Sequence, residues 1–165
     1  ENKALVRRFY EEVWDRGNFE FARDVFADDY VRHDLRPTHA PPGAAGMAKI
    51  AADFRRAFPD ARWRVHLVLG EDDFVAARWT ATGTFTGQWG DVEPTGKAAT
   101  FSGVKIYRFN QDGKVAEIWN HRDDLGFMEQ VGVSVWAGAA PETPTAPGTE
   151  SQSREGLKHE MEQPP

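Results

Sequence analysis

Hydrophobic positions along the chain change period once, from helical to two-fold, near residue 60. Between Asn2 and Asp15, Leu5, Val6, Phe9, Val13 and Trp14 recur at helical spacing and Gly17 follows as a stop, which predicts an amphipathic opening helix. The stretch NFEFARDVFADDYVRHD predicts a second, short helix that buries Phe19, Ala22, Val25 and Phe26 before a strand-like YVRH. RPTHAPPGAAG reads as a loop, and a helix from Met47 to Phe58 ends at Pro59 and Asp60. Beyond it, ARWRVHLVLG, DFVAARWTATGTFTG, AATFSGVKIYRFN and KVAEIWNHR alternate as strands, separated by the turns GEDD, QWGDVEPTG and QDGK. DDLGFMEQVG closes the pattern as a helical turn capped by Asp123 or Asp124.

Helices first and strands afterwards predict an α+β fold: helices packed on one face of a curved antiparallel sheet, enclosing a hydrophobic cavity. Segments such as VKIY and FVAARW are apolar on both faces, which predicts a homodimer through sheet packing. From Val135 onward WAGAAPETPTAPGTESQS is rich in Pro, Thr, Gly and Ser, so residues 1–134 are expected to form the domain and residues 135–165 a C-terminal arm.

Composition narrows the function. The 165 residues carry a net charge of −6, against any role that needs a clustered basic face for nucleic acid. Cysteine is absent, which excludes disulfides, thiolate metal sites and cysteine nucleophiles. The apolar runs are too short to cross a bilayer and nothing resembles a secretory leader, so the expected setting is cytoplasmic, away from membranes.

The chemistry concentrates in EIWNHRDD, residues 117–124. On a strand, Glu117, Trp119, His121 and Asp123 share one side, and Ile118, Asn120 and Arg122 share the other. Only one set can face a cavity. His121 and Asp123 form an H-x-D pair, two ligands of a possible iron facial triad, but the only downstream histidine is His159 in the arm, so no metal is expected. Asp123 also suits a helix N-cap. Trp63, Trp79, Phe85, Tyr107 and Trp119 lie on predicted strands and suit core packing; a flat aromatic ligand would touch two or three of them, and Trp63, Phe85 and Tyr107 are the expected contacts. His39 and His66 are expected at the surface.

DDYVRHD, FPDARWRV, WTATGTFTG, PTGKAATFSGVKIYRF and DGKVAEIWNHRDDLGFMEQVG, in this order and spacing, resemble the SnoaL-like polyketide cyclase family. The resemblance implies a nuclear-transport-factor-2-like α+β barrel, an interior pocket for an aromatic polyketide, and an aspartate doing acid/base work in an intramolecular aldol closure. It also implies a setting in bacterial antibiotic biosynthesis, and relatives that hydroxylate anthracycline precursors. The family's acid-His-x-Asp pattern, laid on this chain without a gap, puts the histidine on Ile118 and the aspartate on Asn120. GTFTG stands where the family often has GTHTG, so Phe85 replaces a second polar group. His33 falls where the family often has a histidine near the pocket mouth.

An amide cannot exchange a proton near neutral pH as a carboxylate does. The expectation is therefore a hydroxylase-like enzyme in which Asn120 and Arg122, with His33 and Asp123 nearby and Ile118 against the substrate, hold a polyketide enolate or phenolate. Such an anion reacts with dioxygen directly, so no cofactor is expected; a separate reductase is a conceivable partner. Ring closure by a cyclase, and a non-catalytic ligand-binding module, stand as alternatives.

Overall fold

The computed structural model describes residues 1–33 and 40–133; the expected arm, His39 and His159 lie outside the described residues. The opening helix forms where its apolar stripe places it, but in two parts. Helix α1 (Asn2–Phe9) runs into a π-helical segment, Tyr10–Asp15. There the Arg16 N–H donates to the Glu11 carbonyl five residues back, at 3.0 Å. This wider turn takes in an extra residue and brings Tyr10 inward together with Val6, Phe9, Val13 and Trp14. Gly17, at φ +75°, ends the segment in a left-handed conformation.

A 3₁₀ turn (Phe19–Phe21) and the short helix α2 (Ala22–Val25) follow, then strand β1 (Phe26–His33). Periodicity assigns Phe26 to the helix; in the structure it opens β1, because it pairs with Val115 in the sheet while staying buried. Helix α3 (Gly43–Ala57) starts four residues before Met47. Strands β2 (Arg62–Glu71), β3 (Phe74–Thr84), β4 (Ala98–Phe109) and β5 (Val115–Arg122) form the expected antiparallel meander. β1 joins its edge in parallel with β5, giving the order β1-β5-β4-β3-β2. Helix α4 (Asp124–Gln130) is tied to β4 by Gln130, whose side chain accepts from the Thr100 N–H and donates to the Thr100 carbonyl.

Side-chain alternation decides what the helices cover. On β4, Ala99, Phe101, Lys105, Tyr107 and Phe109 are buried, and Gly103 has the same parity. Val75, Ala77, Trp79 and Ala81 on β3 share that inner face, as do Ile118, Asn120 and Arg122 by register on β5. Helical rings close on it: Phe54 lies 5.6 Å from Phe101, Phe9 6.4 Å from Tyr107 and Tyr10 6.5 Å from Trp79. Each fully buried aromatic or aliphatic side chain contributes about 1.5–3 kcal/mol. This one-sided core holds the sheet and helices together.

Gly103 is required by close approach. A Cβ there would sit 2.6 Å from Trp79 Cζ2 and 2.6 Å from the His121 carbonyl oxygen. The indole of Trp79 therefore lies across β4 at this point. Gly103→Ala is expected to destabilise the fold by about 1–3 kcal/mol through overpacking, read as a lower urea midpoint with an unchanged slope.

Candidate active site

The inner face carries one charged residue that is buried among the described residues, Lys105, 4% exposed. Its cross-strand neighbours are Ala77 on β3 and Asn120 on β5. Its Nζ stands 5.4 Å from the ring centre of Trp14, 5.8 Å from Phe9 and 5.9 Å from both Tyr10 and Tyr107. Ring faces are electronegative and favour an ammonium, so the aromatic walls offset part of the cost of removing Lys105 from water. Sequence reasoning passed over this residue. Its signal was there, because in FSGVKIYRF the lysine occupies the same parity as Phe101, Tyr107 and Phe109.

Two phenols border the lysine. The Tyr107 hydroxyl donates to the Tyr10 hydroxyl at 3.0 Å, and both side chains are buried. Burial pushes both phenols well above the usual tyrosine range; the hydrogen bond from Tyr107 offsets this only in part for Tyr10, and Tyr10 adds to the rise at Tyr107. Both stay neutral near pH 7, so neither is a base.

Four buried polar atoms on this side of the sheet have no hydrogen-bond partner: Asn120 Oδ1 and the indole nitrogens of Trp14, Trp63 and Trp79. Such atoms are rare in folded proteins and each is a candidate ligand contact. The three indoles form a chain, with ring centres 4.6 Å apart from Trp14 to Trp63 and 4.5 Å from Trp63 to Trp79. Asp15 fixes Trp63 by accepting its backbone N–H at 2.7 Å, and Arg55 fixes the π segment by donating to the Trp14 carbonyl at 2.9 Å. Asn120 and Trp63 are each partly exposed as residues, so this wall of donors and one acceptor is not sealed.

The structure gathers some of the sequence-predicted residues and separates others. Asn120 and Ile118 share the inner face with Tyr107 and Trp63, and Ile118 is fully buried opposite Tyr107. Phe85 is also fully buried, but it stacks on Phe58 at 5.2 Å, in a cluster with Trp89 and Phe127. Arg122 has inner-face parity, yet its guanidinium donates to Asp124 at 3.0 Å, so a nearby acid already holds it. Asp123 does not join Asn120: its Oδ1 accepts the Gly126 N–H at 2.9 Å and caps α4. His33 does not join it either. It lies on the outer face, stacked on Trp119 at 4.7 Å with its Nε2 2.7 Å from Glu117 Oε2, because the parallel register sets it opposite Trp119. His66 is exposed at a bulge of β2, 2.9 Å from the Thr80 hydroxyl. Among the described residues no three His, Cys, Asp or Glu side chains come together as a metal site, and no helix is long and apolar enough to cross a membrane.

A curved sheet covered by helices over an aromatic interior studded with buried polar atoms makes this an α+β fold of one sheet and one helical layer. Residues 4–131 match the family model of the SnoaL-like polyketide cyclases, and the chain belongs to that family. No curated protein matches it. Among solved structures it is similar to a candidate polyketide cyclase from Bacillus cereus ATCC 10987, with 29% identity over 79% of this chain and 80% of that one, and a TM-score of 0.65. It is equally similar in sequence to AclR, a candidate hydroxylase from Streptomyces galilaeus, with 29% identity over 80% and 81% of the two chains and a TM-score of 0.67. IdmH, a candidate polyketide cyclase from Streptomyces antibioticus, is 25% identical over 81% and 99%, with a TM-score of 0.65.

The outer-face pair has its own pH signature. Hydrogen bonds from His33 and then Arg108 hold the Glu117 carboxyl below the usual carboxylate range. A carboxyl depressed in the folded state adds stability above its unfolded pKa and loses it as pH falls through the folded value. The melting-temperature advantage of the native chain over Glu117→Gln should therefore be present near neutrality and shrink on acidification below the ordinary carboxylate range. An advantage that grows with acid would contradict the pairing.

Proposed function

We propose that the protein is an aromatic polyketide tailoring enzyme, a cofactor-independent hydroxylase of anthracycline-type substrates, acting on an enolate or phenolate bound between the sheet and the opening helix. The observation that carries this reading is Asn120. It occupies the position where the family pattern has an aspartate, with its side-chain oxygen buried and unpartnered. An amide there binds without titrating. The neighbouring phenols stay neutral, and the other buried polar groups of the interior are donors. Donors lower the energy of an oxyanion but do not abstract a proton from carbon.

The reaction balances as follows. The substrate carbanion, the carbon form of the enolate or phenolate, gives electrons to dioxygen, and a carbon–oxygen bond forms as a hydroperoxide after one proton is taken up. Two further electrons and two protons, from a separate reductant, cleave the oxygen–oxygen bond to leave a hydroxyl and water. The similarity to AclR supports this chemistry, and the similarity to the Bacillus cereus protein and to IdmH is the argument for a cyclase.

Incubation of the full chain with a polyketide anthrone or anthracycline precursor, a reductant and isotopically labelled dioxygen tests the proposal. The expected product gains one labelled oxygen atom, and Asn120→Ala lowers its rate by about three- to tenfold, the scale of losing one oriented hydrogen bond that Asn120 Oδ1 accepts from a substrate hydroxyl. A product with a new carbon ring and no labelled oxygen, of unchanged mass or less one water, would establish the cyclase, and native turnover by Asn120→Ala would remove Asn120 from the site.

We further propose that two copies pair through the outer face of the sheet. Val31, Leu67, Leu69, Phe74 and Val104 are large apolar residues exposed there on β1, β2, β3 and β4. An apolar sheet face of this breadth is costly in water, and a second copy is self-complementary to it. Sedimentation is expected to give a dimer for the native chain and a folded monomer for Leu69→Glu with Val104→Glu; a native monomer at micromolar concentration would overturn it.

A further inference from the structure

We infer that Lys105 is the anion-holding residue of the interior, and that with Asn120 it selects aromatic ligands bearing a hydroxyl beside the anionic oxygen. The inference rests on the interior being the polyketide site. It goes beyond that reading by naming the residue that meets the charge and the substitution pattern the ligand must carry.

The argument is one of donors and acceptors. The Lys105 amino group and the indole nitrogens only donate, so the ligand atoms that face them must accept. Asn120 Oδ1 only accepts, so the ligand atom that faces it must carry a hydrogen. Lys105 and Asn120 stand directly opposite each other on β4 and β5, and side chains so paired have Cβ atoms about 4.5–5.5 Å apart. One ligand edge that offers both an acceptor and a donor is then matched to this pair of positions, as the keto or phenolate oxygen and the adjacent hydroxyl of a peri-hydroxylated aromatic polyketide are. Trp79 adds a donor from the third strand. The ring carbon beside its nitrogen would lie 3.1 Å from a Cβ at Gly103, two residues from Lys105 on the same face of β4. Phe9, Tyr10, Trp14 and Tyr107 surround the amino group with ring surface, which lowers the local dielectric and strengthens its attraction for an anion. An ammonium has three N–H donors, so a contact made within the protein leaves others for a ligand.

Absorption titration of bound peri-dihydroxyanthraquinone, with unsubstituted anthraquinone as the uncharged control, tests this on the full chain. In the native protein the bound dihydroxy dye is expected to turn to its phenolate colour at a pH about one unit or more below the free dye. Lys105→Met should abolish that shift and weaken the dihydroxy dye by about tenfold, and should weaken anthraquinone, whose keto oxygens carry no charge, by less. Asn120→Leu should weaken the dihydroxy dye and leave the shift in place. Lys105→Gln, with similar length and no charge, is the second variant should Lys105→Met not fold, and Lys105→Arg should restore the shift. Binding of both dyes with no lowered ionisation, or a shift that survives removal of the Lys105 charge, overturns the assignment and leaves the interior site standing. Failure of both dyes to bind the native chain removes the site reading and this inference together.

Discussion

An amino group placed inside an aromatic interior is the constraint to which the neighbouring residues conform. Desolvating an ion costs several kcal/mol, and each ring face returns roughly 0.5–2 kcal/mol, so several rings must converge for Lys105 to remain inside. Four do, from α1, the π segment and β4. The strand positions beside it are correspondingly small: Ala77 faces it on β3, and Gly103, two residues before it, leaves room for Trp79. The Tyr107 hydroxyl donates to the Tyr10 oxygen, which ties the two phenols that border the lysine to each other. The inner face is thus arranged around charge as much as around apolar packing.

That arrangement also limits the chemistry. The loop after β5 spends its acids on structure, Asp123 on the first turn of α4 and Asp124 on Arg122. Glu117 is held by Arg108 and His33 on the opposite side of the sheet. What remains inside among the described residues is rich in hydrogen-bond donors and has no buried carboxylate. Family membership alone does not distinguish the two, since the similar structures include candidates for both ring closure and hydroxylation.

Much of the fold was legible because the two periods are unambiguous. The four meander strands lie within a residue or two of their alternating segments up to Thr84, where β3 stops short of Phe85. The parity argument also set Ile118, Asn120 and Arg122 on one side of β5, as register confirms. Three things were harder to read. The parallel pairing of β1 depends on contacts ninety positions apart, which no local pattern encodes, and it decides that His33 faces outward. The π segment keeps an apolar stripe that resembles an ordinary helix, so Tyr10 went unnoticed as an inward residue. Lys105 is hard to read because a lysine is ordinarily a solvent-facing residue, and strand parity overrides that tendency here.

The widened turn at Tyr10–Asp15 amounts to one residue accommodated without lengthening the helix. Each residue of a regular helix advances the side-chain direction by about 100°. Deleting a single position within this segment would restore ordinary winding and swing the Trp14 indole away from Trp63, breaking the tryptophan row at its first member. The shape of the tryptophan wall is in this sense written into helix length, and chains that differ there by one residue would present a different wall from the same scaffold.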